Sequence, residues 1–193
     1  GKRDYLYERV NKKNYKKNLY MKKIRLMELA GLSHLIKEDM LELKQMSKQL
    51  YSFFKGKGMP VKLPETEQGD PTNRGNFDTK LDLTYEVQLK IFEGDEMCLI
   101  ALPAPAAVMA MTGVKKAGDL NASKEAEKYG KSADEYYDNS EVQNYVNKLG
   151  EEVVTQLKAK YPEMHHDFLP DKQRIFYFMR FGFKQTAKGG DIK

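Results

Sequence analysis

The stretch Leu81-Asp82-Leu83-Thr84-Tyr85-Glu86-Val87-Gln88-Leu89-Lys90-Ile91 alternates apolar and polar side chains without a break. Successive side chains of a strand point to opposite faces. Leu81, Leu83, Tyr85, Val87, Leu89 and Ile91 therefore share one face, and Asp82, Thr84, Glu86, Gln88 and Lys90 share the other. Wound at about 100° per residue, the same apolar set would scatter around the whole of a helix. The alternation predicts a half-buried strand over 80–92 and so places a sheet in the middle of the chain.

Working outward, Glu93-Gly94-Asp95 is a turn into Met97-Cys98-Leu99-Ile100-Ala101-Leu102. That run is apolar on both faces, as a central strand requires. Pro103 and Pro105 end it, because proline cannot donate to the ladder. Ala106 to Met111 reads as a short helix closed by Gly113, and Ser123 as a cap for a helix over 124–129. Ser140-Glu141-Val142-Gln143 has the form of a capping box. Val142, Tyr145, Val146, Leu149, Val153, Leu157 and Tyr161 then run down one helix side until Pro162. A further strand from Arg174 to Lys184 is dense in aromatics, among them Phe176, Tyr177, Phe178, Phe181 and Phe183.

On the other side of the strand the pattern is helical. Between Tyr5 and Phe54 there is no proline and one glycine, Gly31. Leu29, Ile36, Leu43 and Leu50 recur every seven residues, with Leu32, Met46 and Phe53 three places on and Asp39 breaking the second series. This is the seam of a helix packed lengthwise on something. Gly31 followed by Ser33 allows a helical hairpin instead. Residues 56–79 carry three prolines and four glycines, the composition of an exposed loop. The fold class that follows is α+β: an antiparallel sheet of three or more strands with helices on one face, preceded by a long N-terminal helix or helical hairpin. The chain is read as a basic helical arm or hairpin over 1–56, a linker-like loop over 57–79, an α+β unit over 80–187 and a tail over 188–193.

Net charge is +5 over 193 residues, and it is unevenly placed. Residues 1–25 hold ten Lys or Arg against Asp4 and Glu8, so the remainder of the chain sums to −3. On a helix, Arg9, Lys12, Lys13, Lys16 and Lys23 fall on one broad face, a stripe able to follow phosphates or lie on an anionic membrane surface; a solvated helix face is the plainer alternative. Cys98 is the single cysteine, which excludes an internal disulfide and a cysteine-rich metal site. Inside an apolar strand its pKa would rise and silence it as a nucleophile. The opening Gly1-Lys2-Arg3 has no Met, which permits a removed targeting segment and export, and leaves the cytoplasm open as well.

Motifs that carry chemistry are few. Neither a dinucleotide-binding nor a phosphate-loop glycine pattern occurs. Asp82 and Glu86 share a strand face but stand about 13 Å apart by strand rise, too wide for a carboxylate pair. Glu163, His165, His166 and Asp167 resemble metal ligands in composition, yet lack the spacing that aligns ligands on a helix, and read as a surface loop after Pro162. The uncharged run from Met97 to Val114 is 18 residues long. Its central prolines favour a buried strand and helix over a membrane span. Arg180-Phe181-Gly182-Phe183 matches a few residues of the aromatic strand motif of RNA-recognition domains but lacks its first glycine. Gly182 reads instead as a bulge or a close contact in a core strand.

These residues point to no catalytic group, metal ligand or cofactor. They lead to the expectation of a non-enzymatic binding or assembly protein, contacting a protein partner or a second copy through the seam Leu29, Ile36, Leu43 and Leu50. Two alternatives stand beside it. One is a nucleic-acid- or anionic-surface-binding protein using the basic segment, and the other a small enzyme whose site is assembled from residues distant in sequence.

Overall fold

The computed structural model describes Lys22 and residues 33–67, 85–92, 96–170 and 175–183. The chain divides between Leu41 and Glu42 into two compact units, and the larger holds the sheet. Helix α1 (Ser33–Gly56) runs through the division. From Glu42 onward it presents Leu43, Met46, Leu50 and Phe54 at helical spacing, none more than 1% exposed. Lys57 and Gly58 close it, with the Met59 amide donating back to the Phe54 carbonyl.

Among the described residues, five strands form one mixed, mostly antiparallel sheet: β1 (Glu65–Glu67), β2 (Gln88–Phe92), β3 (Met97–Pro103), β4 (His165–Pro170) and β5 (Phe176–Gly182). Their order is β1-β2-β3-β5-β4. The class is α+β, as the patterning requires. The alternation of the opening stretch holds from Glu86 to Ile91, with Val87, Leu89 and Ile91 buried and Glu86, Gln88 and Lys90 half-buried, whereas Tyr85 is exposed and the strand begins at Gln88. Leu81, Asp82 and Leu83 lie outside the described residues. Strand β3, buried at every position, is central.

Two strands depart from the sequence expectation. Part of the linker-like stretch supplies β1, which pairs parallel to β2 and is preceded by a bridge between Val61 and Val87. Three residues between prolines are too few to show a period. The segment read as a surface loop after Pro162 is β4, antiparallel to β5 from His165↔Gly182 to Pro170↔Tyr177.

Helix α2 (Ala104–Thr112) follows β3 with no intervening loop. Pro105 fits its first turn, where amides have no partner to lose, and Gly113 ends it in the left-handed region at φ +75°. A 3-10 turn (Ala117–Ala122) and α3 (Lys124–Glu127) come next, the latter capped by Ser123, whose hydroxyl accepts from the Ala126 amide. Helices α4 (Ala133–Asp138) and α5 (Ser140–Lys160) complete the layer. The α5 cap is Asn139, one residue before the expected Ser140. Its Oδ1 accepts from the Glu141 and Val142 amides, and Gln143 donates to the Tyr137 carbonyl instead of closing a capping box.

The described helices pack on the sheet face that carries Val87, Leu89, Cys98, Ile100, Leu102, Met179 and Phe181. The α5 stripe of Val142, Val146, Leu149, Val153 and Leu157 and the α1 residues Met46, Leu50 and Phe54 share that core. The opposite face carries a smaller cluster of Phe92, Leu99, Ala101, Phe176 and Phe178.

Candidate functional site

Because neighbouring strands bring register partners side by side, one transverse row crosses the whole sheet on this second face: Glu65, Lys90, Leu99, Arg180 and Asp167. It places an acid and a base at each end of a buried leucine. Lys90 pairs with Glu65 at 3.9 Å. Arg180 pairs with Asp167 through Nη2 and Oδ2, both side chains being largely buried. Arg180 Nε and Asp167 Oδ1 have no hydrogen-bond partner among the described residues.

The first face of β4 is more open. His166 and Phe168 alternate with Asp167 and so point toward the helices. The Phe168 ring meets Phe181 edge-on at 6.4 Å and lies against Gly150 of α5, where a Cβ would come within 2.9 Å of its Cζ. Phe168 nevertheless remains 38% exposed. His166 tilts toward it at 5.7 Å. The His166 pKa is lowered, first by burial, then by Lys158 of α5, with Asp167 opposing and His165 adding. Phe168 is not singled out by sequence patterning, because the six residues of β4 mix histidine, acid and apolar side chains and show no period; Arg180 enters the sequence reading only within the partial aromatic motif, without its acid partner. The two histidines are adjacent on a strand and point apart, and no group of three or more potential metal ligands occurs among the described residues.

The other sequence candidates are placed as follows. Arg9, Lys12, Lys13, Lys16, Lys23 and Leu29 lie outside the described residues. Ile36 is within α1, while Leu43 and Leu50 are buried, Leu50 in the core of the larger unit. Cys98 is fully buried, and desolvation pushes its thiol up to about 12. Burial likewise pushes up the Tyr177 hydroxyl, which donates to the Tyr137 carbonyl at 2.8 Å. Gly182 makes the close contact expected of it, since a Cβ there would lie 2.6 Å from the Glu96 carbonyl oxygen.

A cleft of about 220 Å³ lies beside Leu120, Ser123, Glu127, Lys131 and Tyr136. Two sets of its polar groups are engaged locally. Ser123 caps α3, and Glu127 pairs with Lys131 at 3.7 Å. No described helix is long and apolar enough to cross a membrane. What the β4 edge can do chemically is pair backbone to backbone and present an aromatic ring beside a cationic flank. No protein-family model matches the chain, and comparison with curated proteins and with solved structures gives no match.

Proposed function

We propose that this chain is a non-enzymatic binding or assembly protein that contacts another macromolecule through its helical arm. The observation that carries the reading is how α1 is rooted. Met46, Leu50 and Phe54 are fixed in the core of the larger unit, and Leu43 of the seven-residue series is buried as well. The seven-residue series continues back in the sequence to Ile36 and Leu29. A helix anchored at one end and apolar along a seam gains stability by packing that seam on a partner.

Sedimentation of the full chain tests this, alone and with single-stranded RNA, duplex DNA or anionic vesicles. Self-association or complex formation is expected, lost when Leu29→Asp and Ile36→Asp are combined, with melting of the larger unit unchanged. A full chain that stays monomeric and binds none of the three probes overturns the reading.

The ten basic residues of 1–25 favour a second reading, attraction to a polyanion. Contacts with phosphates release counterions, so such binding weakens steeply with salt. Neutralising Arg9, Lys12, Lys13 and Lys16 together would abolish it while the Leu29 and Ile36 substitutions would not. That pattern selects the second reading over the first.

A further inference from the structure

Strands β1 and β2 are parallel neighbours, with Glu67 beside Phe92 at one end and Val61 beside Val87 at the other. A chain that leaves Glu67 must travel back roughly 17 Å, five residues of strand rise, before it re-enters the sheet. Residues 68–84 meet the dozen or more that such a crossover needs. Handedness then selects a face. Strands β3 and β4 are parallel too, each being antiparallel to β5, and the helices that join them lie on the first face. Strands β1 and β2 run opposite to that pair, yet both connections step the same way along the order β1-β2-β3-β5-β4. Crossovers of one hand that step the same way along strands of opposite sense lie on opposite faces. Both connections are right-handed, as such crossovers almost always are, only if the one from β1 to β2 passes over the second face.

We propose that residues 68–84 of this chain are the cover of the second face, seated over Phe92, Leu99, Ala101, Phe176 and Phe178. Those five side chains are at most 5% exposed, yet no described helix contributes to their cluster. Composition names the occupant. Within the larger unit four segments lie outside the described residues, and 68–84 alone carries several large apolar side chains, Phe77, Leu81 and Leu83. Residues 93–95 are Glu-Gly-Asp, 171–174 are Asp-Lys-Gln-Arg, and 184–193 hold Ile192 as their one large apolar residue. Leu81 and Leu83 share a side of an extended chain, so both can meet the sheet at once. The cluster spans β2, β3 and β5, about 10 Å by strand spacing, a width that 68–84 can arch across while returning to β2. The same cover keeps the Lys90 and Arg180 side chains, which stand on either side of Leu99, largely out of water. The inference stands apart from the helical arm and does not depend on it.

Photo-crosslinking of the full chain tests this. With p-benzoylphenylalanine in place of Phe178, irradiation is expected to join that position to residues 68–84 of the same molecule, read by mass spectrometry of the digested monomer. Attachment to residues 1–32, to 184–193 or to a second molecule overturns the proposal and gives the face to that occupant. Absence of any cross-link overturns it as well. Thiol labelling supplies a second measurement that leaves Phe178 intact. Leu99→Cys combined with Cys98→Ala reports on the second face, and native Cys98 reports on the first. Adding Phe77→Ser, Leu81→Ser and Leu83→Ser together is expected to speed labelling at position 99 about tenfold and to leave labelling of Cys98 unchanged, which also shows that the fold persists. Acceleration at Cys98 alone, at both positions equally or at neither overturns the proposal.

Discussion

Arg180 of β5 and Asp167 of β4 are register partners whose side chains form an ion pair on the second face of the sheet. Both are largely withdrawn from water, and each keeps one polar atom without a hydrogen-bond partner among the described residues. Removing one charge strands the other. Arg180→Ala should therefore cost about 3 to 5 kcal/mol. Replacing both, as Arg180→Met with Asp167→Leu, should recover most of that loss, because the unmet hydrogen-bonding groups go too. Urea denaturation of the two variants decides it; equal losses would mean that the pair is well solvated.

At Gly182 the constraint is backbone against backbone. A methyl group would meet the Glu96 carbonyl oxygen at 2.6 Å and the Met97 Cα at 3.2 Å. Neither is the end of a flexible side chain, so strands β3 and β5 must part. Gly182→Ala is expected to destabilise by about 2 kcal/mol or more, read as a lowered denaturation midpoint with an unchanged slope.

Gly150 and Phe168 form a pair whose coupling has a sign that can be read. In a helix interior, glycine costs about 0.5 to 1 kcal/mol relative to alanine. Here the methyl of Gly150→Ala would strike the Phe168 ring at 2.9 Å, so the substitution should be destabilising in the unaltered protein. In a Phe168→Ala background the obstruction is gone, and the same substitution should stabilise. A double-mutant cycle by thermal melting measures the reversal.

Much of this architecture is legible from period alone. The alternation around Val87 and Leu89, the doubly apolar run at Ile100 and the stripe of α5 are each long enough for burial to leave its mark. The short elements are not. Strand β4 mixes His165, His166 and Asp167 with Phe168, because an edge strand beside a helix has no uniformly buried face, and its inward charge answers an arginine on another strand. No local pattern encodes that partnership. The α5 cap shifted by one residue because Asn139 and Ser140 are both good caps, and the choice went to the one whose Nδ2 also reaches the Tyr129 carbonyl. The candidate site shares this limit: Phe168, Gly150 and Phe181 come together only through tertiary packing.

Burial of Cys98 makes a prediction about both reactivity and pH. In the folded protein a thiol reagent at pH 8 should label Cys98 no faster than the protein unfolds, and denaturant should release it at once. Its pKa rises from 9.0 in the free thiol to about 12 in the fold. The associated stability is therefore complete below pH 9.0 and is lost as pH rises toward 12, where the unfolded thiol ionises and the folded one does not. Comparing the alkaline denaturation of Cys98→Ala with the unaltered chain isolates this contribution; identical curves would show that the thiol is not sealed.

Placing β5 between β3 and β4 has a consequence for the order in which the molecule can be made. Ile100 of β3 lies beside Met179 of β5, and all of α2 to α5 and β4 are synthesised between them. On the ribosome the most apolar strand of the protein must wait, with one flank unpaired, until β5 emerges. The interval is bridged by α2, which follows β3 directly and brings Ala106, Ala107 and Val108 into the core on its helix-covered face. A nascent chain arrested before Phe176 would carry a strand apolar on both faces with β2 on one side and its other edge unpaired, the kind of species that chaperones retain.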